Sequence, residues 1–271
     1  MLEGLAKYWG FYMVAVRDVN DVGIRDLHDV LVEVNGYEEW ISDLSLLPPA
    51  QRASQNQVNS LIASKLLKKV LAARIVVFKL FLELAILVDG ELQEKHKRIW
   101  LLFQLSDSLC GALHPFVQII RNCLQNASHD ALDILVGRLN RIRDNCFPKS
   151  QFIVGLDEAQ HAARLYPNSF ISSTNNEVFR SIIREMATVF TKSSIKLVVS
   201  GTGLSLDDLT EAMGSGVSKP SEGIQQFHQL GMFDTWLKLK SFLERYVPAT
   251  VLESHSGYRL QQRIREYLQG R

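Results

Sequence analysis

Cysteine, net charge and uninterrupted apolar runs are all scarce in this chain. Its three cysteines, Cys110, Cys123 and Cys146, stand too far apart to make a metal-binding pair. As an odd number they also leave one thiol outside any disulfide scheme, which excludes a disulfide scaffold and points to a reducing, intracellular compartment. Thirty basic residues against 29 acidic ones give a formal charge of +1, so no overall field draws the chain to nucleic acid or to an anionic membrane. The seven histidines show no H-x-E or H-x-x-x-H spacing, so no zinc site is indicated. The most apolar stretch, Val70 to Val88, is broken by Arg74, Lys79 and Glu83. Each central Lys or Arg costs about 2.5–3.5 kcal/mol on insertion scales, and Lys79 and Glu83 have the spacing of a helix-surface pair, so a buried helix is expected and not a membrane span. Nor does the N-terminus have the basic region and apolar run of a signal peptide.

What remains is a globular composition: 271 residues, 46% of them apolar, enough for a sizeable core. Leu2 to Tyr8 reads as helix and Phe11 to Val19 as an apolar strand. From about Asp21 to Cys146 almost everything has helical periodicity, interrupted by the turn-rich "LLPPAQRASQN" and by Asp89-Gly90. After Pro148 strands and helices alternate: "FIVGL", the amphipathic "VFRSIIREMATVFTK", "IKLVVSG", a candidate strand in "GIQQFHQLGMF", the helix "TWLKLKSFLERYV" and a basic C-terminal helix. The expected organisation is an α/β core in two pieces, 1–19 and 151–271, around an all-helical insert over 20–150. Trp100, Phe103, Phe116 and Phe81 recur at helical spacing and are read as core. Arg74, alone on an apolar arc, is expected to pair with a buried acid.

The first strand after the insert ends in two carboxylates, "FIVGLDEAQH". An apolar run closed by Asp-Glu has the form of the Walker B element of P-loop ATPases. In that reading Asp157 holds Mg²⁺ through a water and Glu158 activates the attacking water, the two side chains pointing apart on an extended chain. Gly155 would admit a neighbouring strand or loop. A second reading has Asp157 and Glu158 simply opening the next helix, where acids favour the N-terminal dipole. About forty residues on, "IKLVVSGTG" ends a second apolar strand in Ser200 and Thr202. ATPases of the additional-strand, catalytic-glutamate type carry there a polar group that senses the γ-phosphate. Gln160 either reads the nucleotide state or starts a helix. Arg259, Arg263, Arg265 and Arg271 either include a phosphate-sensing arginine, with Arg271 and Arg265 the candidates, or form a solvated helix face. No Gly-Lys dipeptide occurs, so no Walker A loop G-x-x-x-x-G-K-[ST] is present to cradle phosphates; "GSGVSKPS", Gly214 to Ser221, does not have its form.

Taken together, "LEGLAKYWGFY", "WLLFQLSDSL", "FIVGLDEAQ", "IIREM", "KLVVSGTGLSL", "LGMFDTW" and "REYLQGR" resemble the NTPase-like module of fungal and oomycete proteins related to Crinkler-type effectors, itself similar to the STAND/AAA+ group. The resemblance spans nearly the whole chain and implies a three-layer αβα P-loop NTPase-like core, here incomplete. Met1 would fall just after that family's P-loop and Arg271 inside its C-terminal arginine motif, so a fragment of a longer ATPase-like protein is expected. It further implies strand order 5-1-4-3-2, with the P-loop strand beside Ile195 to Ser200. Mg²⁺ and ATP are implied as ligands wherever the native chain supplies the loop. Two expectations follow: a nucleotide-dependent switch whose helical insert transmits motion to a protein partner, or a non-catalytic remnant serving as an interaction scaffold.

Overall fold

The computed structural model describes residues 1–16, 22–105, 113–148, 150–172, 178–191, 195–201, 236–244 and 247–268, without the side chains of 238, 239, 242 and 264–268. Two compact units divide at Glu222/Gly223.

In the first unit a short helix α1 (Leu2–Lys7) feeds strand β1 (Trp9–Val14). The strand starts two residues earlier than the periodicity suggests and stops well before Val19, because the sheet partner ends there: Val14 is paired with Asp157. Strand β2 (Phe152–Asp157) lies parallel to β1, with Trp9 opposite Phe152. Strand β5 (Lys196–Val199) lies parallel to β2 on its other side, giving the order β1-β2-β5. A parallel sheet needs cover on both faces, which is why β1 and β2 read as continuous apolar runs. One face carries Trp9, Phe11, Phe152 and Val154 against Phe78 and Trp100, with Phe11 and Phe152 ring centroids 4.9 Å apart. The other face packs Tyr12, Val14 and Ile153 against Leu5.

The helical stretch supplies the rest of this cover. Helices α2 (Asp26–Glu33), α3 (Pro49–Asp89), α4 (Glu94–Leu105), α5 (Pro115–Asn122) and α6 (His129–Cys146) fill the span between β1 and β2. Helix α3 begins inside the turn-rich segment because Pro49 occupies its first turn, where a missing N–H breaks no hydrogen bond. It ends at Gly90, whose φ of 79° suits a residue without a Cβ. Lys79 and Glu83 pair on its surface at 3.2 Å. Arg74 pairs with Asp26, both fully buried, as a two-point contact at 2.8 and 2.7 Å. No helix among the described residues is long and apolar enough to cross a membrane.

Downstream of β2 come helix α7 (Ala159–Arg164), a two-residue ribbon of β3 (Phe170–Ile171) and β4 (Phe179–Arg180), and helix α8 (Ile183–Phe190). The amphipathic segment from Val178 is therefore helical only from Ile183, its first residues being drawn into pairing with β3. The second unit contains α9 (Trp236–Leu243), α10 (Ala249–Leu252) and α11 (His255–Leu268), with Leu243 and Leu252 at its small apolar centre. The candidate strand in 223–233 lies outside the described residues.

Candidate functional site

Asp157 ends the central strand, and the backbone turns sharply after it. Glu158 sits in the left-handed region, φ 55° and ψ 33°, as the residue before α7. For a residue with a Cβ this conformation costs about 1–2 kcal/mol, and such residues cluster where a side chain must be aimed. Asp157 and Glu158 are therefore not successive residues of an extended chain; the turn, not strand alternation, sets where Glu158 points. The expectation that these residues open a helix also holds in part, since Glu158 immediately precedes α7.

The Asp157 carboxylate is held from three sides. Its Oδ1 accepts from the Ser200 hydroxyl at 2.6 Å and from the Glu158 amide at 3.0 Å; its Oδ2 accepts from the Tyr12 hydroxyl at 2.7 Å. The ladder brings Ser200 there: the Ser200 amide donates to Leu156 O at 2.9 Å, and the Ala159 amide donates back to Ser200 O at 3.0 Å. The Tyr12 hydroxyl from β1, Asp157 at the end of β2 and Ser200 just after β5 thus meet towards the C-terminal edge of the sheet, where ligands of open α/β sheets bind.

Beside it, the Gln160 side-chain amide donates to Glu158 Oε2, and His161 Nε2 stands 3.7 Å from the same oxygen. Gln160 is 5% exposed and lies against Gly201, where an added Cβ would meet Gln160 Oε1 at 2.1 Å. Glu158 itself is about 40% exposed. Gly155 does not admit a strand or loop: the groups over it are the side chains of Met1 and Leu5, at 2.6 and 3.2 Å from a built Cβ.

Of the residues singled out from the sequence, Asp157, Glu158, Ser200 and Gln160 come together. Thr202 and Arg271 lie outside the described residues, as does the side chain of Arg265. Tyr12 was missed by sequence reasoning. Within an apolar strand its only signal is a hydroxyl, and nothing local says that Asp157, 145 positions away, receives it.

A carboxylate offers about four acceptor positions, and three at Asp157 are filled by the protein. One position on Oδ2 remains open among the described residues, room that a metal-bound water would fit. Among the described residues no group of three or more acidic, His or Cys side chains gathers to hold a metal unaided. A cation here would need further ligands, such as nucleotide phosphates.

The chain matches no known family, no curated protein and no solved structure.

Proposed function

We propose that this chain is the core of an ATPase-like, nucleotide-dependent switch of the STAND/AAA+ type. One observation carries the reading: Asp157 ends the central strand of a parallel β1-β2-β5 sheet and is bonded at 2.6 Å by Ser200, which follows the neighbouring strand. The order agrees with strands 2-3-4 of a 5-1-4-3-2 sheet, in which Asp157 is the Walker B acid and Ser200 the polar group of the sensor strand. In that order the P-loop strand belongs on the far side of β5. Among the described residues no strand pairs there, and Val198 of β5 is 38% exposed while β1 and the apolar residues of β2 are buried.

In this role Asp157 would hold Mg²⁺ through a water, and Glu158, half-exposed and aimed by its left-handed backbone, would take a proton from the attacking water. Mg²⁺ supplies charge neutralisation on the phosphates. Tyr12 and Ser200 keep the Asp157 carboxylate fixed, and Gln160 keeps Glu158 from swinging freely. The phosphates themselves need a loop that these 271 residues do not contain, so the assay belongs on the native protein isolated from its own cells. Purified with Mg²⁺, it is expected to hydrolyse ATP, and Glu158→Gln is expected to lower turnover by about 10²-fold or more while ATP still binds. Unchanged turnover in Glu158→Gln would remove Glu158 from the chemistry. A native protein of 30.7 kDa by intact mass that binds no nucleotide would favour the interaction scaffold.

A further inference from the structure

We infer that Tyr12 is a positioning residue through which the helical insert sets the geometry of Asp157. Among the described residues strand β1 is an edge strand, and an edge strand leaves a row of N–H and C=O groups unpaired. Here buried side chains bond its outer polar groups. The Gln104 side chain accepts from the Tyr12 amide at 3.0 Å through Oε1, and its Nε2 donates to Gly10 O at 3.2 Å. Trp100 Nε1 donates to the same carbonyl at 2.8 Å. Arg74 Nη1 donates to Tyr12 O at 2.7 Å and to Gln104 Oε1 at 3.1 Å. Gln104 suits this task because its side chain is itself an amide, with one donor group and one acceptor in the arrangement of a peptide unit.

Tyr12 is thus gripped at both ends. Its backbone is bonded on both polar groups by α3 and α4, and its hydroxyl is bonded to Asp157 two residues beyond its register partner Gly155. Arg74 and Gln104 are fully buried and Tyr12 is 3% exposed, so the backbone bonds are out of water, while the Tyr12–Asp157 bond lies part-buried at the site. A shift of α4 along the strand edge moves the Tyr12 backbone and with it the donor on Oδ2. Conversely, any change at the Asp157 carboxylate that weakens the phenol bond on Oδ2 is felt in α4. The Tyr12–Asp157 bond, made or broken, is the two-state element that physical coupling requires. Its functional meaning rests on the reading of Asp157 as the metal-side carboxylate, but its test needs no nucleotide, so the two fail separately.

The test is amide hydrogen exchange on the whole chain, comparing α4 with α6, which makes none of these bonds. Asp157→Ala is expected to speed exchange in α4 by about tenfold while leaving α6 unchanged, as loss of a hydrogen bond to a charged group implies. Tyr12→Phe, which keeps the ring and both backbone bonds, should reproduce the effect, and the double variant should add nothing further. Should Asp157→Ala fail to fold, Asp157→Asn takes its place with a smaller change in the same direction. Unchanged exchange in α4, equal acceleration in α6, or effects that add in the double variant would each overturn the inference.

Discussion

Asp26→Ala is expected to lower the unfolding free energy of the first unit by about 3–5 kcal/mol, read as a fall in urea midpoint at constant slope. The reason is the charge left behind. Arg74 and Asp26 both have 0% side-chain exposure, and the aspartate takes two of the guanidinium hydrogen bonds, at 2.8 and 2.7 Å. Without it a permanent cation remains in the core with only the Tyr12 carbonyl, the Gln104 side chain and the Phe116 ring, 4.5 Å from its centre, to receive it. Domain stabilities are typically about 5–15 kcal/mol, so the loss is a large part of the whole. Adding Arg74→Met to an Asp26→Leu variant should recover part of the loss, since replacing both members of a buried pair by apolar groups is far milder than stranding one. Recovery will be incomplete because the Tyr12 carbonyl then loses its donor. If the second substitution instead deepens the loss, packing rather than charge is the dominant effect.

A comparably large effect is expected at Gly10. A Cβ built there comes within 2.1 Å of Ile153 O and 2.6 Å of Leu5 Cδ2. The first of these belongs to the neighbouring strand's backbone, which can yield only by opening the β1–β2 pairing. Gly10→Ala should therefore destabilise by about 3 kcal/mol or more, at or beyond the usual range for overpacking. Gly155→Ala is the control. It is crowded at 2.6 Å too, but by Met1 Sδ, the far end of a flexible side chain that can rotate away, and about 1 kcal/mol is expected. Equal melting shifts for the two variants would mean that backbone contact at Gly10 is not limiting. A selective Gly10 effect would also disturb Asp157, because the displaced strand carries Tyr12.

Much of this architecture is legible without coordinates. Continuous apolar runs bounded by polar residues mark β1, β2 and β5; β1 and β2 have them because strands inside a parallel sheet are buried on both faces, while β5 is partly exposed. Helical periodicity marks α3, α4 and α6, and a lone arginine on an apolar arc signals a buried pair. The convergence of Asp157 with Ser200 is likewise legible, because both follow apolar strands and parallel neighbours bring their ends to one edge of the sheet. Boundaries are less legible: "VFRSIIREM" is helical by its own periodicity, and only pairing with β3 makes its start a strand.

The sequence by itself determined the kinds of element and the polar residues that close the apolar strands, because these are written in residues within a few positions of one another; Asp157 and Ser200, 43 positions apart, meet because parallel neighbours end at one edge. The tertiary structure alone decided that Asp26, among 29 acidic residues, partners Arg74, that Gln104 bonds the outer backbone groups of β1, that Glu158 turns into a left-handed backbone and that Tyr12 reaches Asp157. Partners 48, 92 and 145 positions apart are chosen by which elements come to lie together. Many side chains of the same chemistry compete for each role, and no local pattern distinguishes them.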